Sequence, residues 1–129
     1  SDLRLHSQWT PQLGLSPDQF RRDIARTTTV MEPIPEDRFL CAFGHIFAGG
    51  YSAGYYSYKW AEVLSADAYA AFEEVGLDQE DEVRATGARF RDTVLSLGGS
   101  RAPAEVFEAF RGRVASSEAL IRHSGLQAA

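Results

Sequence analysis

Cysteine occurs once in these 129 residues, as Cys41, so no disulfide can form within the chain. That suits a reducing compartment, and the cytoplasm is the expected location. Lysine is also single: Lys59 stands alone, and arginine supplies the rest of the 13 basic residues. The arginines are scattered from Arg4 to Arg122, and the net charge is −5. Nothing here forms the clustered basic footprint of a nucleic-acid binder. Long apolar runs are missing too. None approaches the roughly 18 residues that a membrane-crossing helix needs, and residues 1–9 interleave charged and apolar residues, unlike a secretory leader. The expected partners therefore include neither nucleic acid nor membrane.

Metal ligands are sparse. The three histidines, His6, His45 and His123, share no ligand spacing, and none stands in a His-Glu-x-x-His frame. That frame places two histidines on one helix face beside a water-activating glutamate. No metal site is expected from this chain alone. A phosphate-binding Gly-Lys-Ser/Thr loop is likewise absent. Cys41, set among Leu40, Ala42 and Phe43, reads as a small buried residue rather than a nucleophile. Glu62, Asp67, Glu73 and Glu74 read as solvated or ion-paired. Strand-like alternation, internal repeats and low-complexity segments are also missing.

What is present predicts an all-α chain, an irregular helical bundle. Residues 1–9 fit either a helix end or an extended lead. A strong helix start follows: Ser16 suits the N-cap, Pro17 the first helical position, and Gln19 closes a capping box, with Leu15 and Phe20 available as a hydrophobic staple. The helix should reach about Thr29, and Pro33 and Pro35 then mark an extended connector. A long helix is expected over residues 52–75, stopping at Gly76. It is apolar around most of its circumference, which requires burial on several sides. The other helices look too few to cover it, so the missing cover is another copy of the chain or another part of the same protein. The acidic run 78–81 opens a further helix with Val83, Gly87, Phe90, Val94 and Leu97 in a stripe. Gly98-Gly99 ends it. Pro103 opens a helix presenting Val106, Phe107 and Phe110, and Ser116 or Ser117 caps a last one ending at Gly125.

Residues 43–60, Phe-Gly-His-Ile-Phe-Ala-Gly-Gly-Tyr-Ser-Ala-Gly-Tyr-Tyr-Ser-Tyr-Lys-Trp, join glycines to four tyrosines and a histidine. Glycine lets a backbone bend and approach a ligand closely, and the polar ring tips can donate hydrogen bonds. With a helix from Ser52, Tyr55 and Tyr58 would share a face and Tyr51 would lie near its entrance. A row of tyrosines reads first as packing with each hydroxyl partnered at the surface. Gly49 and Gly50 beside them add the alternative of a binding loop.

The stretch from His45 to Tyr69 resembles the C-terminal region of the thimet-oligopeptidase family of zinc peptidases (family M3), and within it the bacterial oligopeptidase A branch. The likeness continues through Ala85-Thr86-Gly87, the run from Arg89 to Arg101, Phe110-Arg111-Gly112-Arg113 and the run from Leu120 to Leu126, and begins at Leu3-Arg4-Leu5-His6. It covers essentially all of 1–129, which it identifies as a C-terminal helical segment of the peptidase catalytic domain. It implies a two-lobed, channel-containing, zincin-like helical fold and zinc-dependent cleavage of short peptides. In such enzymes a metal-activated water attacks the scissile carbonyl while tyrosine hydroxyls stabilise the oxyanion. Matched residue by residue, Tyr58 would be the oxyanion donor. His45, Tyr51 and Tyr55 would contact the oligopeptide substrate, and Gly49 and Gly50 would let the loop close on it.

The family's His-Glu-x-x-His helix and third, glutamate ligand are not in this sequence. The resemblance therefore implies zinc in the full-length enzyme and none in this chain, which is expected to be inactive by itself. The missing zinc-bearing part is the expected partner, with self-association as a substitute. The alternative is a stand-alone helical peptide-binding or interaction module derived from such a peptidase.

Overall fold

The computed structural model describes residues 1–126, and among them every regular element is helical. The helices are α1 (Asp2–Ser7), α2 (Pro17–Thr28), α3 (Phe39–Ala42), α4 (Ser57–Val75), α5 (Glu80–Phe90), α6 (Pro103–Arg111) and α7 (Glu118–His123). Short 3₁₀ turns occupy Pro11–Leu13 and Gly44–Ile46, and α5 runs on into a π-helical turn, Arg91–Leu95. The chain divides into two compact units, one comprising Ser1–Ser57 and the other beginning at Tyr58.

In the first unit the N-terminal stretch is helical. The start of α2 follows from its local sequence. Ser16 Oγ accepts the Gln19 amide at 3.2 Å, and Gln19 Oε1 accepts the Ser16 amide at 2.9 Å, so both halves of the capping box form. Leu5, Phe20, Ile24 and Ile46 make the core, with Trp9, Leu40, Phe43 and Tyr55 packed against it. The proline connector is held from α2: the Arg22 guanidinium donates to the carbonyls of Pro33, Ile34, Pro35 and Asp37 at 2.8–3.2 Å. A planar fork satisfying four carbonyls replaces the ladder that the prolines cannot join. Cys41 is exposed, contrary to the expectation of burial. The four-residue helix α3 has no buried residue, and Ile46 of the following turn fills the core instead.

In the second unit α4 stops at Gly76 (φ +86°), as the sequence predicts. Its start differs. The helix begins at Ser57, not Ser52, because Ala53 takes φ +55°, outside the right-handed helical region, and residues 52–56 form turns. Ala66 and Ala70 of α4 pack on Ala119 of α7, with Leu120 beside them, so small residues let these helices approach closely. Val106, Phe107 and Phe110 of α6 are buried as predicted, and Phe110 meets Phe90 edge-on at 5.2 Å.

The carboxylate of Asp67 sits among these helices at 1% exposure. It accepts from Arg113 (2.6 and 2.7 Å), Arg111 (3.2 Å) and the Ser116 amide (2.8 Å). Arg111 also forks onto Glu74 at 2.6 and 2.9 Å. Of the solvated and ion-paired roles expected for Asp67, the structure shows the ion-paired one, with full burial. Part of α4 stays uncovered: Trp60 is 61% exposed, and Leu64, Ala68 and Phe72 line an open apolar groove of about 540 Å³ with Phe90 and Phe107.

Candidate functional site

Residues 43–56 form a loop that folds back on itself. The Gly49 amide bonds the Gly44 carbonyl at 2.9 Å, the Tyr51 amide bonds the His45 carbonyl at 3.0 Å, and Ser52 Oγ donates to the Ile46 carbonyl at 2.8 Å. Ile46, with no exposed surface, anchors the loop in the core between the exposed His45 and Phe47. Glycine at 49 has a steric cause: a Cβ there would lie 2.7 Å from His45 Cα and 3.0 Å from its carbonyl oxygen. Gly50 takes φ +81°, where side chains are rare.

This folding gathers three of the predicted residues. The His45 ring lies 6.1 Å from Tyr51 and 5.8 Å from Tyr55, and the two tyrosines are 6.3 Å apart, edge to face. Phe43 backs the group, 4.7 Å from Tyr55 and 5.8 Å from His45. The Phe43–Tyr55, His45–Tyr55 and Tyr51–Tyr55 pairs meet edge to face, an orientation that aromatic rings prefer. Tyr55 does not share a helix face with Tyr58, because it lies in the turns before α4. Tyr58 belongs to the second unit, on the first turn of α4, with its side chain 46% exposed.

Sequence reasoning passed over Asp2. Its carboxylate, 8% exposed, accepts the Ala53 amide on Oδ1 and the Tyr55 amide on Oδ2, each at 2.9 Å. His6 Nδ1 lies 2.9 Å from Oδ1. Burial alone would push the Asp2 carboxyl up, but the two loop amides and His6 outweigh it and hold it below its ordinary value. The left-handed conformation of Ala53 costs about 1–2 kcal/mol, and the bonds to Asp2 on either side of Gly54 offset that. Nothing in the local sequence announces this anchor, since its partners lie 51 and 53 residues downstream.

No group of three or more histidine, cysteine, aspartate or glutamate side chains among the described residues could hold a metal ion. His6 pairs with Asp2, and His123 pairs with Glu73 at 3.1 Å. The donor set does not fit a zinc centre. No described helix is long and apolar enough to cross a membrane.

The model of Peptidase family M3 matches residues 1–126. The chain belongs to this family. It is 57% identical over 128 residues to the probable cytosolic oligopeptidase A of Arabidopsis thaliana, covering 99% of this chain and 18% of that protein. It is 58% identical to the organellar (chloroplastic/mitochondrial) oligopeptidase A of the same plant, over 99% of this chain and 16% of the relative. It is 45% identical to oligopeptidase A of Salmonella typhimurium, over 98% of this chain and 18% of the relative. The chain thus spans less than a fifth of the M3 relatives it matches. Membership of the family implies zinc in the full-length enzyme.

Proposed function

We propose that this chain is the C-terminal substrate-binding portion of an oligopeptidase A-like zinc endopeptidase acting on short peptides, and that it is inactive by itself. The observation that carries this reading is the convergence of His45, Tyr51 and Tyr55 on one anchored loop, in a chain that matches the family from end to end of its described residues.

In this reading His45, Tyr51 and Tyr55 hold the peptide by hydrogen bonds and ring contacts, while Gly49 and Gly50 let the loop close over it. Tyr58 donates a hydrogen bond from its hydroxyl to the scissile carbonyl oxygen as negative charge develops there, an interaction stronger in the transition state than in the substrate. The zinc belongs to the part of the peptidase outside these residues. That part also covers the apolar face around Trp60 and the adjoining groove. The compartment is the cytoplasm, in keeping with the single cysteine and with the relative named cytosolic.

The same groove supports a second reading, a stand-alone helical module that binds a peptide or protein without cleaving it. Zinc content and peptide hydrolysis, measured on the 129 residues alone and on the longer protein containing them, separate the two. The longer protein should bind zinc and cleave, and the short chain should do neither. Stoichiometric zinc with hydrolysis by the short chain would overturn the first reading, and a longer protein that never cleaves would favour the second.

A further inference from the structure

We infer that Asp2 is a positioning residue of the peptide-binding loop, acting through Tyr55. The inference rests on the reading of that loop as substrate-contacting. Both carboxylate oxygens of Asp2 are engaged, one on the Ala53 amide and one on the Tyr55 amide, each at 2.9 Å. A charged acceptor shared between two amides makes stronger, more directional bonds than neutral partners would. The two bonds straddle Gly54 and fix the turn in which Ala53 has its left-handed backbone.

Asp2 is fixed in its turn. It lies in α1, and His6 Nδ1, one helical turn on, approaches both its Oδ1 and its backbone carbonyl at 2.9 Å. The His6 ring lies 6.1 Å from Phe47, on the other limb of the loop. A continuous set of contacts therefore runs from α1 through Asp2 to the backbone of Tyr55, and from the Tyr55 ring to His45 and Tyr51. Releasing the amides would let the Tyr55 ring shift on the core against which it packs.

The test is a double-mutant cycle in the intact peptidase, reading kcat/KM on an internally quenched oligopeptide for Asp2→Asn, Tyr55→Phe and the double variant. Asparagine keeps the size of the side chain but turns a donor NH2 towards one of the two amides. Asp2→Asn should lower kcat/KM about ten- to a hundredfold, the scale of a misplaced contact group. In the Tyr55→Phe background the same change should cost less than about threefold, because the two residues act as one unit. A near-normal Asp2→Asn enzyme, or two losses that multiply in full, would overturn the role of Asp2 and leave the reading of the loop intact. A near-normal Tyr55→Phe enzyme would instead overturn Tyr55 as a substrate contact, and this inference with it. Should Asp2→Asn fail to fold, amide hydrogen exchange on the unaltered protein decides. The Ala53 and Tyr55 amides should be protected, and exchange as fast as in an open loop would contradict the anchor.

Discussion

Replacing Tyr58 by phenylalanine in the intact peptidase should lower kcat by about ten- to a thousandfold, the range for losing one oxyanion donor, with the fold unchanged. The substitution removes one hydroxyl and nothing else. Tyr58 stands on the first turn of α4 with nearly half of its side chain exposed, so little packing is at stake. An interaction made only in the transition state lowers kcat and kcat/KM together and leaves KM where it was. A rise in KM alone would move Tyr58 into the group of ground-state substrate contacts. A near-normal kcat would remove it from the chemistry.

Asp67→Ala should have the largest effect on stability. It would leave the guanidinium of Arg111, 5% exposed, with Glu74 as its remaining carboxylate, and it would strand the Ser116 amide. Breaking a buried pair from one side costs about 3–5 kcal/mol. The lower end applies, since Arg113 is 44% exposed and can turn to water. Hydrogen exchange of the α4 amides around Ala66 to Ala71 should accelerate roughly a hundredfold, the equivalent of about 3 kcal/mol of local opening. Unchanged exchange would show that the network adds nothing to the packing of α4 on α6 and α7.

The same carboxylate gives the unit an acid limit. Burial pushes the Asp67 carboxyl up, but the bonds from Arg113 and Ser116 and the charges of Arg113 and Arg111 outweigh it, so it titrates below its ordinary value. A folded-state value below the unfolded one, about 3.9, contributes stability that is fully present above the unfolded value. That stability is lost as pH falls through the folded one. Asp67→Asn should remove this share of the acid sensitivity.

Local signals carried much of the fold. The Ser16–Gln19 capping box, the proline opening α6 and the glycine closing α4 act within a few residues of themselves, and each stands where its chemistry requires. The start of α4 was not legible. Residues 52–56 carry no helix breaker beyond Gly54, and what unwinds them is the Asp2 carboxylate reaching their amides from a distant point in the sequence. Asp67 follows the same pattern, with arginine partners 44 and 46 residues away. Cys41 misled because apolar neighbours suggest burial, whereas α3 is too short to offer a buried face. At the candidate site His45, Tyr51 and Tyr55 were legible from the family resemblance. Their mutual approach required the fold of the loop, which is set by Ile46 in the core and by the lack of room for a side chain at position 49.

The most direct measurement is the intact mass of the native product in its source cells, by immunoblot and mass spectrometry. The expected result is a single protein several times larger than the 14.2 kDa of this chain, matching relatives of which it spans less than a fifth. A native product near 14.2 kDa would contradict it, making the loop tyrosines part of a free binding module rather than of a peptidase active site.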